Sequence, residues 1–496
     1  MTAPTPDRAT SGTLTLPEVA RSVVIVGNGM AGARLAQELR ARSGDVPITV
    51  IGAEAGGTYN RVLLSNVLAG TANADDIALT SPDWYARHDI ALYAGVRAAA
   101  IDRERRLVRI EDGREVAYDV LVLATGSTAV VPPIEGLDRA PHVAAFRTLA
   151  DCAAILDHAR TARRVAVIGG GLLGLEAARG LAGRGLPVTL LHAAGHLMER
   201  QLDAGAGRVL GRTLRGLGVD VITNASTTAV LGGQVRLDDG RRVDADLVVL
   251  ACGVRPDVGL ARDAGLAVER GVVVDDRLRS VSDERIYAIG ECAQHDGQVY
   301  GLVAPAWEQA HVLADVLTGR TAAYGGTRTV TRLKAAGVEL AAMGDTDADS
   351  GDPDFDLVTF VDAARGVYQK LVLREGRIVG AILLGDTRAA GTVTQLFDRG
   401  SVAPQDRAAL LIGGGRPAAE AESPTRIPDR ATVCQCNGVT KGAIRAAWQA
   451  GAGNVGDIAA TTHATTGCGT CRDAVCGLLD WLAAADPDAA PALEAS

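Results

Sequence analysis

Residues 23–32 read Val-Val-Ile-Val-Gly-Asn-Gly-Met-Ala-Gly, and this stretch decides the fold class. Its apolar first half is typical of a buried parallel strand, and the pattern over residues 33–40 predicts a helix directly after the glycines. A second strand is predicted over residues 48–51, and strand, glycine turn, helix and strand is the context in which G-x-G-x-x-G binds a dinucleotide. The glycines that we expect to contact the pyrophosphate are Gly27, Gly29 and Gly32.

The same unit recurs further along the chain. Residues 164–174 read Arg-Val-Ala-Val-Ile-Gly-Gly-Gly-Leu-Leu-Gly, and a helix over 175–183 and a strand over 188–191 are predicted to follow. A second dinucleotide site is therefore predicted at Gly169, Gly171 and Gly174. The second strand is followed by His192 and two alanines, where an acid would favour NADH and an arginine NADPH, so the coenzyme preference stays open.

Three further apolar runs end at glycine. Residues 121–126 and 247–253 each predict a buried strand that ends at a crossover, and residues 285–291 predict an apolar strand that ends in glycine and a carboxylate. The third run ends in a carboxylate, Glu291, which is either a solvated acid after a core strand or an acceptor for a ribityl hydroxyl of a flavin. The fold class that these elements predict is α/β, with two Rossmann-like dinucleotide-binding domains.

Composition sets outer limits on the function. The chain has 496 residues, enough for several domains, and 59 of them are glycine, well above the usual ~7%. Its formal charge of −9 argues against nucleic acid as a ligand. The sequence contains neither an apolar run of membrane-spanning length nor a secretory h-region near its start, so we expect no membrane partner and a cytoplasmic protein with reduced thiols.

On these ordered motifs, residues 22–320 resemble the flavoprotein reductases that have two dinucleotide-binding units. The resemblance implies FAD in the first unit and NADH or NADPH in the second. It also implies a part in electron transfer for Glu176, which is expected to face the flavin edge, although a capped helix start explains that residue equally well. No Cys-x4-Cys pair lies near the first unit, so electrons are expected to leave the flavin by another route than a disulfide. Beyond the first glycine turn, the FAD site is expected to include Glu54, Arg61, Thr125, Gly126, Gly290 and Glu291.

The last part of the chain is rich in cysteine. Cys434, Cys436, Cys468 and Cys471 form a C-x-C and a C-x2-C pair, each predicted to open a helix, where the positive backbone potential favours thiolates. This spacing favours an iron–sulfur cluster over four structural zinc ligands. Residues 431–482 resemble the bacterioferritin-associated-ferredoxin-like [2Fe–2S] domain, whose four ligands these cysteines match. Cys476 falls outside the pattern and is expected to pack.

The order of these parts predicts the domain organisation. Five alternating apolar runs within residues 329–384 predict a small α+β domain with an antiparallel sheet. A glycine- and proline-rich stretch then predicts a linker to the small helical cluster domain. The predicted parts are a tail (1–20), an FAD domain (21–145 and 254–320), an NAD(P)H domain (146–253), the α+β domain (325–400), the linker (401–429) and the [2Fe–2S] domain (430–484).

Residues 197–203 and 300–310 are typical of two related groups of flavoproteins: the electron-transfer subunits of assimilatory nitrate reductases, and the front half of NAD(P)H nitrite reductases. The resemblance implies an NAD(P)H-dependent oxidoreductase that carries electrons through FAD and a [2Fe–2S] cluster. No sirohaem or molybdenum-cofactor part follows, so we expect transfer to a separate molybdenum-dependent nitrate reductase or sirohaem nitrite reductase subunit. Two alternatives stay open: a stand-alone ferredoxin or rubredoxin reductase, and a non-enzymatic docking or iron-sensing module.

Overall fold

The computed structural model of the protein describes residues 22–333, 335–349, 351–412, 428–434, 438–465 and 471–485. The predicted tail and most of the predicted linker lie outside these residues. None of the helices in the described ranges is long and apolar enough to cross a membrane.

The first part of the chain alternates strands and helices. Up to residue 129 the elements are β1 (Val23–Val26), α1 (Met30–Arg42), β2 (Ile48–Gly52), α2 (Leu64–Ala69), α3 (Pro82–Arg87), β3 (Ile90–Ala94), β4 (Ala98–Asp102), β5 (Leu107–Ile110), β6 (Glu115–Ala117), β7 (Val120–Leu123) and β8 (Ser127–Ala129). The helix predicted from residue 33 begins three residues earlier, because Gly29 has the extended backbone of an N-cap.

The second part repeats this plan. Its elements are β9 (Val143–Ala145), α4 (Leu149–Ala159), β10 (Val165–Ile168), α5 (Leu172–Gly183), β11 (Val188–Leu191), α6 (Ala204–Gly216), β12 (Val219–Ile222), β13 (Thr227–Leu231), β14 (Gln234–Leu237), β15 (Arg242–Asp244) and β16 (Leu247–Leu250). The chain then returns towards the first part through β17 (Val254–Pro256), α7 (Gly259–Asp263), β18 (Val272–Val274), β19 (Ile286–Ala288), β20 (Ala293–His295) and α8 (Val303–Leu317).

Two parallel five-stranded sheets form the body of the molecule. The first has the order β19-β7-β1-β2-β3, so the returning chain completes the sheet that the first residues began. The second has the order β12-β11-β10-β16-β9. All four residues of β1 and of β10 are buried, as the near-continuous apolar runs predict for strands that are covered on both faces. The α/β class with two Rossmann-like units is confirmed.

The small α+β domain is antiparallel, as the alternating runs predict. Its sheet has the order β21-β22-β25-β24-β23, and two helices follow it in the chain. The elements are β21 (Val330–Leu333), β22 (Leu340–Gly344), β23 (Asp356–Asp362), β24 (Val367–Arg374), β25 (Arg377–Leu384), α9 (Ala390–Arg399) and α10 (Arg407–Ile412).

A buried polar group joins this domain to the second sheet's helices. The Lys370 Nζ and the Tyr368 hydroxyl, both on β24, lie 2.9 Å and 2.7 Å from Oδ2 of Asp203, the N-cap of α6. Burial by itself would raise the pKa of Asp203, but hydrogen bonds from the Ala206 N–H, Tyr368 and Lys370 outweigh it and lower that pKa. The carboxylate therefore stays charged and holds the two domains together.

The cysteine-rich end is a small helical domain. A short hairpin, β26 (Thr432–Cys434) and β27 (Val439–Thr440), leads into α11 (Lys441–Gln449), α12 (Val455–Thr462) and α13 (Arg472–Ala485). The sequence predicted α11 and α13, whereas it did not predict α12. Ile444, Trp448, Ile458 and Val475 are buried and form its core.

Candidate functional site

The residues predicted to bind FAD lie at one edge of the first sheet. Strands β1, β2, β7 and β19 are parallel, so their carboxyl ends meet at the same edge. Sequence-distant segments are thereby brought together: the first glycine turn, Glu54, the pair Thr125 and Gly126, and the pair Gly290 and Glu291 follow these strand ends.

The three glycines of the first turn differ in what surrounds them. A Cβ on Gly27, whose φ is +117°, would lie 2.0 Å from the Ala124 carbonyl oxygen, and a Cβ on Gly32 would lie 2.0 Å from the Gly27 carbonyl oxygen. Gly29 has nothing within 4 Å of that position, and α1 begins after it with no side-chain cap. Two glycines thus allow the tight turn and close packing, and the third leaves the helix N-terminus open to a pyrophosphate. These residues fit FAD.

The second turn has the same geometry. A Cβ on Gly169, at φ +118°, would lie 2.2 Å from the Ala251 carbonyl oxygen, and a Cβ on Gly174 would lie 1.8 Å from the Gly169 carbonyl oxygen. Gly171 again has nothing within 4 Å and precedes the uncapped start of α5. The second site therefore fits a second dinucleotide, as expected for NAD(P)H.

Glu54 and Arg61 form an ion pair beside the first turn. Glu54 follows β2; its Oε1 lies 2.5 Å from the Arg61 Nη2, and its Oε2 accepts a 2.7 Å hydrogen bond from the Tyr59 hydroxyl. The guanidinium of Arg61 also lies 5.3 Å from the Tyr59 ring centroid. This network holds the Glu54 carboxylate, which is 42% exposed, at the edge where an adenosine ribose is expected. Its contact with the ribose stays a prediction.

Thr125, Gly126 and Gly290 shape the turns after β7 and β19. The Thr125 hydroxyl donates a 2.6 Å hydrogen bond to the Asp257 carbonyl, which ties the crossover back to the return segment. Gly126 and Gly290 both have positive φ, and the Gly290 N–H donates to the Gln309 side chain on α8 at 2.7 Å. These contacts hold the first turn against the return segment and the second against α8.

An ion pair that the sequence did not indicate links the two sheets. Arg147, which follows β9 of the second sheet, pairs with Glu291, which follows β19 of the first. The Ser127 hydroxyl lies 2.5 Å from the Glu291 Oε2 and 2.7 Å from the Arg147 Nη2. The carboxyl edges of the two sheets therefore meet here, and the Glu291 carboxylate accepts hydrogen bonds from Ser127 and Arg147. Its expected contact with a ribityl hydroxyl stays a prediction.

Glu176 lies on α5, two residues beyond Gly174. Its side chain is buried, with 7% exposed. A buried acid in the first turns of the helix that faces the second site is consistent with the expected place beside the nicotinamide and flavin. Its part in catalysis stays a prediction.

At the end of β11, two hydrogen bonds connect Gly170, His192 and Glu199. The sequence did not predict this connection. The Gly170 N–H donates to Nδ1 of His192 at 3.1 Å, so the ring proton must be on Nε2, which donates to the Glu199 Oε2 at 3.0 Å. His192 is buried, whereas Glu199 is 41% exposed. A carboxylate therefore stands beside the end of the second strand although the next residues in sequence are not acidic.

Two of the four predicted cluster ligands lie in the described part of the chain. Cys434 ends β26 and Cys471 directly precedes α13, and both are buried in the core of the small domain, 0% and 5% exposed. Cys436 and Cys468 lie outside the described residues. Buried sulfur donors at a strand end and a helix start fit a cluster that is shielded from water.

The isolated cysteines have a different environment. Burial raises the pKa of the Cys152 thiol to about 11, and it also raises the pKa values of Cys252 and Cys292. Such thiols are poor nucleophiles and weak candidates for disulfide exchange.

Three parts of the chain match known protein families. Residues 21–311 match the family described as pyridine nucleotide-disulphide oxidoreductase. The chain belongs to this family. Residues 330–401 match the rubredoxin NAD+ reductase C-terminal domain, and residues 432–481 match the BFD-like [2Fe–2S] binding domain. This pyridine nucleotide oxidoreductase is thus a flavoprotein that uses FAD and NAD(P)H and has a [2Fe–2S] domain, which confirms the cofactors expected from the sequence.

Two curated relatives come from Bacillus subtilis (strain 168). The chain is 38% identical over 482 residues to a nitrite reductase [NAD(P)H], covering 96% of this chain and 59% of that protein. It is 37% identical over 468 residues to an assimilatory nitrate reductase electron transfer subunit, covering 93% of this chain and 59% of that protein. The oxidoreductase therefore spans about three fifths of the length of these relatives, and the resemblance to both groups is confirmed.

Solved structures support the fold. NADH:rubredoxin oxidoreductase from Clostridium acetobutylicum has a TM-score of 0.67 and 27% identity, covering 79% of this chain and 98% of that one. The putidaredoxin reductase–putidaredoxin complex has a TM-score of 0.70 and 29% identity, covering 77% of this chain and 93% of that one.

Sequence reasoning missed Arg147 and Glu199. Arg147 pairs with a residue far away in the sequence, and Glu199 pairs with a residue across a loop. Neither belongs to a motif with a recognisable spacing. The available signal for Arg147 was its place directly after a short apolar run, at a sheet edge where polar residues cluster. For Glu199, the nearby His192 at the strand end indicated that a polar partner was needed.

Proposed function

We propose that this oxidoreductase carries electrons from NADH through FAD and its [2Fe–2S] cluster to a nitrate or nitrite reductase catalytic unit. When bound, FAD supplies the conversion between the two-electron chemistry of nicotinamide and the one-electron chemistry of the cluster. The chain itself provides the binding sites and their relative positions.

The observation that carries the proposal is the pair of open helix N-termini, each at the carboxyl edge of its own parallel sheet. Gly29 at α1 and Gly171 at α5 each leave the backbone N–H groups of a helix start open to a pyrophosphate, and the Arg147–Glu291 pair joins the carboxyl edges of the two sheets. Such an arrangement suits two dinucleotides whose reactive rings meet between the sheets. The buried Cys434 and Cys471 would hold part of the cluster that accepts these electrons on the same chain.

The nitrogen-oxide acceptor rests on the relatives. Both Bacillus subtilis relatives, by their names, take part in nitrate or nitrite reduction. We therefore expect the electrons to reach a molybdenum-dependent nitrate reductase or a sirohaem nitrite reductase part, whether separate or joined to this chain.

An anaerobic titration of the purified protein with NADH tests the proposal. We expect bleaching of the flavin absorbance, loss of the broad iron–sulfur absorbance, and about two irons per chain. Addition of a nitrate or nitrite reductase catalytic unit should then restore the oxidised spectrum only when its substrate is present. A protein that contains zinc without iron, or that NADH does not reduce, would contradict the proposal.

We further infer that the coenzyme is NADH. An acid after the second strand of such a unit binds the adenosine ribose, and it repels the 2′-phosphate of NADPH. Glu199 supplies that carboxylate from eight residues beyond the strand, because His192 holds it in place through a 3.0 Å hydrogen bond.

The charge of Glu199 is therefore expected to decide the coenzyme preference. Glu199→Ala should raise the KM for NADH by about tenfold, because one charge-assisted hydrogen bond is lost, and Glu199→Arg should favour NADPH. Asp220→Ala, which removes an exposed acid on β12 of the same sheet, is the matched control and should change neither KM. Steady-state kinetics with both coenzymes measure this, and an unchanged ratio of kcat/KM values in both Glu199 variants would contradict the assignment.

A second candidate is a stand-alone rubredoxin reductase. It is favoured by the match of residues 330–401 to the rubredoxin NAD+ reductase C-terminal domain. Rapid NADH oxidation with rubredoxin as the acceptor, and none with a nitrogen-oxide reductase unit, would support it.

A further inference from the structure

Among the described residues, the cluster domain packs tightly against the flavoprotein body at Gly438. Gly438, in the turn between β26 and β27, lies against the indole of Trp307 on α8. A Cβ on Gly438 would lie 2.4 Å from Cε3 and 2.7 Å from Cζ3 of this ring. Real Cβ contacts are never this short, so only glycine fits between the hairpin and the indole.

Trp307 is held in place from the body side. Its Nε1 donates a 3.3 Å hydrogen bond to the Met30 carbonyl, directly after the open Gly29 of the first turn. The Arg34 guanidinium lies 5.5 Å from the ring centroid. Trp307 is only 8% exposed, and Gly438 of the cluster domain lies against its ring. A buried indole thus links the FAD turn to the hairpin that carries Cys434, a predicted cluster ligand.

The surfaces beside this point are loosely packed. A cleft of ≈ 210 Å³ lies between them, with Met30, Arg34 and Gln37 of α1 on one wall and Thr462 and His463 of the cluster domain on the other. A close contact beside an open cleft, as the described residues show here, is what a docking surface between domains that can separate is expected to have.

We propose that the Gly438–Trp307 contact sets the docked position in which the cluster domain receives electrons from the flavin. This inference rests on the proposed function, since it names the surface through which that transfer passes. Any side chain at residue 438 should lift the hairpin off the indole and slow the passage of electrons to the cluster. Reduction of the flavin by NADH, which occurs at the cleft between the sheets, should not change.

A double-mutant cycle separates the contact from strain within the hairpin. Gly438 has a φ of +60°, so Gly438→Ala by itself also strains the backbone. Removal of the indole in Trp307→Ala relieves the clash and leaves that strain unchanged. We therefore expect Gly438→Ala to slow cluster reduction at least about tenfold in the native protein and to have no further effect in the Trp307→Ala background.

Two readouts follow each variant. Anaerobic stopped-flow mixing with NADH records the loss of flavin absorbance and then of iron–sulfur absorbance. Hydrogen–deuterium exchange of peptides from residues 30–42 and 303–317 reports whether the cluster domain covers them, and should rise in both single variants. The control is Gly451→Ala, which strains another positive-φ glycine of the same domain whose Cβ would meet nothing within 4 Å; it should leave both readouts unchanged.

Each outcome is informative. The docking proposal would be overturned if Gly438→Ala slowed cluster reduction equally in the native and the Trp307→Ala backgrounds. It would also be overturned if Gly438→Ala changed neither the rate of cluster reduction nor the hydrogen exchange. In both cases the native protein would still reduce its cluster. If Gly438→Ala does not retain iron, the proposal is tested with Trp307→Ala, because this substitution does not change the sequence of the hairpin. Unchanged hydrogen exchange and an unchanged rate of cluster reduction in Trp307→Ala would overturn the proposal. Failure of NADH to reduce the native protein at all would instead contradict the proposed function.

Discussion

Gly171→Val is expected to abolish reduction of the flavin by NADH while the protein keeps its fold and its FAD. Gly171 has an extended backbone with φ −83°, and nothing lies within 4 Å of the place a Cβ would take. A Cβ at this position therefore meets no protein atom, and the backbone conformation is one that any residue adopts. The side chain would enter the space above the N-terminus of α5, where the pyrophosphate of the coenzyme is expected.

The expected loss in kcat/KM for NADH is at least about 100-fold, since displacement of the coenzyme by an ångström misaligns hydride transfer. Flavin content and the thermal midpoint should match those of the native protein. Gly183→Ala, at the other end of the same helix and also with open space around it, is the matched control and should retain native kinetics. Loss of FAD or of the fold in Gly171→Val would contradict this assignment.

Gly174→Ala should behave in the opposite way. Its Cβ would lie 1.8 Å from the Gly169 carbonyl oxygen, so the substitution disrupts the packing of α5 on β10 whether or not a coenzyme is present. A lowered thermal midpoint in this variant, together with an unchanged midpoint in Gly171→Val, would separate the packing glycine from the ligand-facing one.

Cys434→Ser is expected to remove the [2Fe–2S] cluster and stop electron transfer beyond the flavin. The sulfur of Cys434 is fully buried at the end of β26, and a serine oxygen is a poor replacement for a thiolate ligand. Iron content should fall to background and the broad iron–sulfur absorbance should disappear. NADH should still bleach the flavin, because both dinucleotide sites lie in the body of the molecule.

Cys476→Ser provides the control for this prediction. Cys476 lies on α13 of the same domain but outside the predicted ligand set, and its side chain is half-buried. Its substitution should leave two irons and the native spectrum. Iron retained in Cys434→Ser, or lost in Cys476→Ser, would show that the ligand set is wrong.

Local patterns in the sequence were sufficient for much of the fold. The apolar runs of β1 and β10 and the spacing of their glycines predicted both parallel units, because a strand covered on both faces must be apolar and a turn that packs backbone on backbone excludes a Cβ. Alternation likewise predicted the antiparallel sheet of the α+β domain. The helix starts were less well predicted, since the extended N-cap glycine and not the apolar pattern sets where α1 and α5 begin.

The candidate site was only partly predictable. Glycine spacing pointed to both turns, and parallel strand order explains why Glu54, Thr125 and Glu291 meet at one edge. The choice between NADH and NADPH stayed open because the decisive carboxylate of Glu199 is not adjacent to its strand. A hydrogen bond from His192 places it there, and no local pattern records such a contact.

The sequence by itself determined the two dinucleotide-binding units, the antiparallel domain and the cysteine spacing of the cluster domain, because each depends on residues close together in the chain. Only the tertiary structure decided how these parts meet: Arg147 with Glu291 across the cleft, and Gly438 against Trp307 between the domains. Such contacts join residues more than 100 positions apart. Their geometry follows from how whole sheets and helices pack, which neither periodicity nor spacing encodes.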